Sequence, residues 1–147
     1  MKVANHVIKL STKARLDFID LTEKVSELVK KSAVKNGVVN IQSLHTTMAV
    51  IIQEAEPLLL GDLKKTLEKV APRTAQYVHD NFKIRTVNMN PNERKNGHSH
   101  CKCLFLTPNV MLNICQKKIQ IGRWQSVFAV ELDGEREREV SVQILGV

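Results

Sequence analysis

The sequence predicts one compact α+β domain over residues 1 to 147, with mixed or antiparallel β-sheets and two or three helices. Three observations predict it. A chain of 147 residues has the usual size of one domain and buries most of the surface its unfolded form exposes. Its 43% hydrophobic and 25% charged residues suit a folded core and exclude disordered and fibrous classes. Helical periodicity falls in the first half and in one short central stretch, whereas the second half is β-rich. No internal repeat, low-complexity tract or Pro-, Gly- or Ser-rich linker divides the two.

Residues 2 to 10 alternate loosely and read as a first strand. The stretch D-F-I-D-L-T-E-K-V-S-E-L-V-K-K-S turns helical, with Leu21, Val25, Leu28 and Val29 on one face and Asp20 or Thr22 as the N-cap. Asn36-Gly37 is expected to end this helix, because both residues tolerate left-handed backbone. V-V-N-I-Q-S-L and T-M-A-V-I-I-Q-E follow as a strand pair bent at His45-Thr46-Thr47. Pro57 opens a second helix, striped by Leu60, Leu63, Leu67 and Val70 and closed at Ala71-Pro72. Glu56, just before it, suits the positive end of the helix dipole.

Residues 73 to 95 lack periodicity and read as a long ordered loop with one short strand, the kind of segment that often carries function. After Asn96 the pattern favours a short helix, capped by Asn96, ended before Pro108, and turning Cys101, Leu104 and Phe105 to the core. V-M-L-N-I, K-I-Q-I, W-Q-S-V-F-A-V-E-L and V-S-V-Q-I-L then read as strands with turns at Gln116-Lys117 and Gly134.

A formal charge of +7 favours anionic partners. The basic residues are scattered and aromatics are 4% of the chain, so the sequence does not support a nucleic-acid surface. No apolar run approaches the ~20 residues of a membrane helix, and the first ten residues lack the apolar core of a secretion signal. Three cysteines, with Cys101 and Cys103 too close for an unstrained bridge, suit reduced thiols and a cytoplasmic location.

N-G-H-S-H-C at 96 to 101 sets two imidazoles and a thiol in four positions. His45, His79, His98 and His100 lie at element ends or in loops, where they could converge as ligands of a divalent metal; His6, on the first strand, is structural. H-x-H alone is weakly specific, since two close histidines without a third ligand more often pack or face solvent. Glu54, Asp62 and Asp80 accompany the histidines as candidate bases or orienting groups. Cys101 packs as a small hydrophobe more readily than it serves as a nucleophile. Gly122-Arg123-Trp124-Gln125 joins a planar cation to the only tryptophan. Serine-hydrolase, P-loop and dinucleotide motifs are absent.

Several blocks stand in one order: L-H-T-T-M-A-V at 44 to 50, Gln53-Glu54, Gly61-Asp62, Y-V-H-D at 77 to 80, N-G-H-S-H-C-K at 96 to 102, I-Q-I-G-R-W-Q at 119 to 125 and V-E-L-D-G at 130 to 134. Together they closely resemble the YjbQ-like family of small uncharacterised proteins. The resemblance implies an α+β subunit in a homotrimer, with histidines and acids around a pocket that often holds a metal ion. Position by position, it makes His45, His79 and His100 the ligands of a divalent metal, zinc being the expected one, and Glu54 or Asp62 the base. His98 varies among relatives, and Gln53 stands where Asn is common.

The implied activity is a weak, secondary thiamine-phosphate synthase, which joins a pyrimidine diphosphate to a thiazole phosphate and releases pyrophosphate. Arg123 and the metal would hold the departing charge. Dedicated synthases are TIM barrels, a fold of about 250 residues for which this chain is too short. The alternative is a trimeric protein that holds a metal or a small phosphorylated ligand without turnover.

Overall fold

Strands from the two ends of the sequence make the longest pairing in the computed structural model, which describes residues 1–147. β1 (Lys2–Ser11) runs antiparallel to β8 (Glu137–Gly146), in register from Lys2↔Gly146 to Ser11↔Glu137. β8 pairs on its other side with β3 (Gly37–Ser43), followed by β5 (Asn109–Cys115) and the short β6 (Lys118–Ile119), so the first sheet has the order β1-β8-β3-β5-β6. A second sheet holds β2 (Asp17–Asp20), β7 (Ser126–Glu131) and β4 (Met48–Gln53), in the order β2-β7-β4. Every pairing is antiparallel. With α1 (Thr22–Lys31), α2 (Pro57–Val70) and α3 (Gly97–Cys103), this is the α+β architecture read from the sequence.

The main core forms where α1 and the inner faces of both sheets meet. Val25 and Val29 of α1 pack with Val39 and Ile41 of β3, Val50 of β4 and Val142 of β8, all withdrawn from solvent. A smaller cluster of Leu16, Leu67, Phe128, Val130 and Leu132 fills the space under α2. β7 is buried along most of its length and contributes to both clusters, which ties them together.

Several sequence expectations need correction. Residues 17 to 20 are a strand, because Asp17–Asp20 find backbone partners on β7 and Phe18 packs edge-on against Phe128 at 6.0 Å between ring centres. β3 and β4 do not pair with each other. The 44–47 bend instead carries the chain from one sheet to the other, with the Ser43 and Val50 N–H groups donating to Pro108 O and Thr107 O. α1 stops at Ser32 and Ala33 takes the left-handed turn (φ 58°), before Lys35 and Asn36 donate to Val147 O. Gly37 serves close packing, since a Cβ there would lie 1.9 Å from Leu145 O.

On α2 only Leu67 is buried, while Val70 is exposed. Glu56 caps it through the Leu58 and Leu59 N–H groups, at 2.8 and 2.7 Å. The 73–95 segment contains a single helical turn at Val78–Asp80 and no strand. Trp124 and Gln125 precede β7 rather than opening it. Gln116 and Lys117 form the expected hairpin turn, both with positive φ.

α3 is rotated from the expected orientation. Cys101 faces solvent and Lys102 is fully buried. Gly97 fixes the rotation, because a Cβ there would meet Tyr77 at 2.5 Å. The helix start is held by Asp80, whose Oδ1 accepts the Asn96 and Gly97 N–H groups at 2.9 Å each, and the Asn96 side chain makes no capping bond. Lys102 Nζ donates to Ala71 O at 2.6 Å and lies 3.4 Å from Glu68, which satisfies its charge inside the protein.

Candidate functional site

The crossover from β3 to β4 puts His45 at a corner where its ring cannot turn freely. Ser43 Oγ bonds the His45 backbone on both sides at 3.2 Å, and the Glu139 N–H donates to His45 Nε2 at 2.8 Å. A neutral imidazole whose Nε2 accepts carries its proton on Nδ1, so this hydrogen-bond pattern makes His45 a fixed donor. Burial, followed by the nearby Arg138 cation, holds the ring below its ordinary pKa and therefore neutral.

Arg138 also braces the corner. Its guanidinium grips buried Glu131 through two bonds, 2.6 and 2.7 Å, and donates to Thr47 Oγ1 at 2.8 Å. Glu131 accepts the Asp133 and Gly134 N–H groups as well, so the pair connects β7, β8 and the crossover.

His100 enters from α3. Burial first, then the neighbouring His79 and Arg85, lower its pKa. Its ring makes an edge-to-face contact with His79, 4.7 Å between centres. His79 Nε2 lies 3.0 Å from Arg85 Nη1, and because a guanidinium only donates, Nε2 is the acceptor in that contact. His98 points into the protein beside Ser99 and Lys102 and takes no part in the site.

A cavity of about 620 Å³ lies between the crossover and α3, lined by His45, Thr46, His100, Cys103 and Thr107 among others. A smaller one, about 340 Å³, borders His79 and Arg85. Glu54, Asp62 and Arg123 line neither. Glu54 lies between β4 and α2, Asp62 is exposed and paired with Lys65 at 3.3 Å, and Arg123 sits 4.5 Å over the exposed Trp124 ring.

As arranged, the three histidines do not fit a metal centre. No three His, Cys, Asp or Glu side chains gather at ligand spacing, and the Nε2 lone pairs of His45 and His79 are already engaged. Only His100 keeps both ring nitrogens free of hydrogen-bond partners. The corner suits an anion better, since a fixed N–H donor lies beside a second neutral imidazole in a basic chain.

The sequence reading assigned no role to Arg85, Lys102, Glu131 or Arg138. One signal was present for Arg138, which shares the alternate positions of Val140, Val142 and Ile144 and is buried with them. A charged residue in core register needs an internal partner. Lys102 gave no such signal, because its burial follows from the Gly97–Tyr77 contact.

The UPF0047 protein YjbQ-like family model matches residues 6–147. A UPF0047 protein of Methanothermobacter thermautotrophicus is 32% identical over 146 residues, covering 99% of this chain and 94% of the relative. One from Archaeoglobus fulgidus is 31% identical over 138 residues, covering 94% and 98%. Among solved structures, a YbjQ-like protein of unknown function from Sulfolobus solfataricus superposes with a TM-score of 0.89 at 31% identity, covering 99% of each chain. A hypothetical protein from Aeropyrum pernix gives 0.86 at 26% identity, covering 98% and 99%. Matched in sequence and fold along nearly its whole length, the chain belongs to the UPF0047 YjbQ-like family.

Proposed function

We propose that the chain binds a phosphorylated small molecule in the cavity between the β3–β4 crossover and α3. The observation that carries this reading is the fixed tautomer of His45, whose Nε2 is occupied by the Glu139 N–H so that Nδ1–H remains to donate. A phosphate oxygen accepts from such a donor, and the +7 charge of the chain favours an anion's approach. His100, neutral and without a hydrogen-bond partner, is the second contact. The turnover proposed for this pocket is the weak, secondary thiamine-phosphate synthase activity that the family resemblance implies.

The same reading makes the protein a homotrimer. Leu104 and Phe105, beside the cavity, and Trp124 are apolar side chains left exposed on one subunit, and a neighbouring copy would cover them.

Calorimetric titration with pyrophosphate and with thiamine phosphate tests the reading. Wild-type protein should bind at least one of them, and His45→Ala should weaken binding about tenfold, the equivalent of one charge-assisted hydrogen bond. His100→Ala should weaken it as well. Absence of binding to both compounds, or full affinity in the His45 variant, overturns the proposal.

A further inference from the structure

The second sheet and α1 pack against one face of the five-stranded sheet and leave the other face open. Ile8, Ile41, Leu112 and Val142 point into the main core, so the alternate side chains of β1, β3, β5 and β8 point outward. Among these, Val3 and Val7 are each 54% exposed and Met111 is 61% exposed.

Strand register arranges the outward side chains in rows. Val3 aligns with Leu145 and Val38. The next row runs Asn5, Gln143, Asn40, Met111, and a third runs from Val7 to Asn109. None of the three rows contains Lys, Arg, Asp or Glu, although charged residues make up 25% of the chain. A nucleic acid or a charged peptide would find no counter-charge on this surface. Its amides already pair within the sheet, which lowers the cost of removing their water: Gln143 Nε2 donates to Asn5 Oδ1 at 3.0 Å, and Asn109 Nδ2 donates to Asn40 Oδ1 at 2.7 Å. Each amide keeps further donors and acceptors, so the face is complementary to a copy of itself.

The area of the face suits such a contact. Its four strands are seven to ten residues long. At about 3.4 Å per residue and about 4.8 Å between strands they present roughly 500 Å², so two copies face to face bury roughly 1,000 Å², the size at which specific interfaces begin.

We propose that this face is the contact between two copies of the chain, stacked sheet on sheet about a twofold axis. A twofold contact uses the same patch on both copies, whereas a ring of three needs two different patches on each, so this contact is separate from the trimer contact at Leu104, Phe105 and Trp124. Both contacts together give six copies, and this one alone gives two. Gln42, in the third row, also lines the cavity beside His45, so the contact reaches the rim of that pocket.

Sedimentation equilibrium of the untagged protein at micromolar concentration is the test, with melting curves to verify that each variant folds. Wild type should have the mass of an even number of copies. Gln143→Glu and Met111→Glu each place a charge at an exposed position that the partner would bury, and each should halve that mass. Should one variant fail to fold, the other decides. A wild-type mass of one or three copies overturns the proposal, and so does an even-numbered assembly that a folded variant leaves intact. A mass of three would leave the trimer standing without this contact, whereas a mass of two would do the reverse.

Discussion

Arg138 and Glu131 form a two-pronged ion pair at 2.6 and 2.7 Å, with side chains 6% and 0% exposed, directly behind the crossover that carries His45. Burial works against ionisation of Glu131, yet the Arg138 bonds and the Asp133 and Gly134 N–H groups hold its carboxyl below the usual range. The third Arg138 bond, to Thr47, passes this rigidity to the corner. Strain in the pair should therefore affect stability and the His45 pocket together.

Removing one partner leaves a buried charge without compensation, which costs about 3 to 5 kcal/mol. Arg138→Met should lose that much in denaturant unfolding and weaken ligand binding at His45. Adding Glu131→Gln removes the orphaned charge and should restore at least half of the lost stability. A single variant as stable as wild type would show that the pair does not brace the fold.

Stability should fall with acid in two stages. Burial, the leading cause in each case, lowers the pKa of His45, His98 and His100 from the ordinary 6.5, so below that pH the unfolded chain binds more protons than the folded one. Their contribution is complete above 6.5 and fades as pH falls toward the folded values. Glu68 adds the second stage. Burial opposes its ionisation, but the Arg73 N–H and Arg15 bring its pKa from 4.5 to about 2, so its share is lost between those values. Melting temperature measured across this range should show both declines. A His45→Gln, His100→Gln double variant should have a smaller first decline, and an unchanged one would exclude these two rings as its source.

Thiol reactivity should follow the observed rotation of α3. Cys101 and Cys115 are exposed, whereas Cys103 is half-buried and its thiol is pushed up to about 11, chiefly by burial. A chromogenic disulfide reagent at mildly alkaline pH should label two thiols quickly and the third only after denaturation. Protection of Cys101 would indicate the core-facing orientation that the apolar stripe had suggested.

The fold class was legible because it depends on local pattern. Periodicity placed α1, α2 and the late strands, Pro57 marked the start of α2, and Gln116-Lys117 gave the β5–β6 turn. The errors share a physical cause. Asp17–Asp20 continued a plausible helix until β7, over a hundred residues away, supplied backbone partners, and β3 and β4 looked like a hairpin until each found a different sheet. Local propensity differs by only tenths of a kcal/mol between such alternatives, so long-range pairing decides them.

The sequence by itself singled out His45, His79 and His100 as candidates by type, place and family order. Tertiary structure alone decided what those rings are bonded to. The Glu139 N–H donates to Nε2 of His45 and the Arg85 guanidinium to Nε2 of His79, and neither partner is evident from the motif that carries the histidine. An imidazole is donor, acceptor or ligand according to the group that occupies its other nitrogen, and in this fold that group lies outside the motif that carries the histidine.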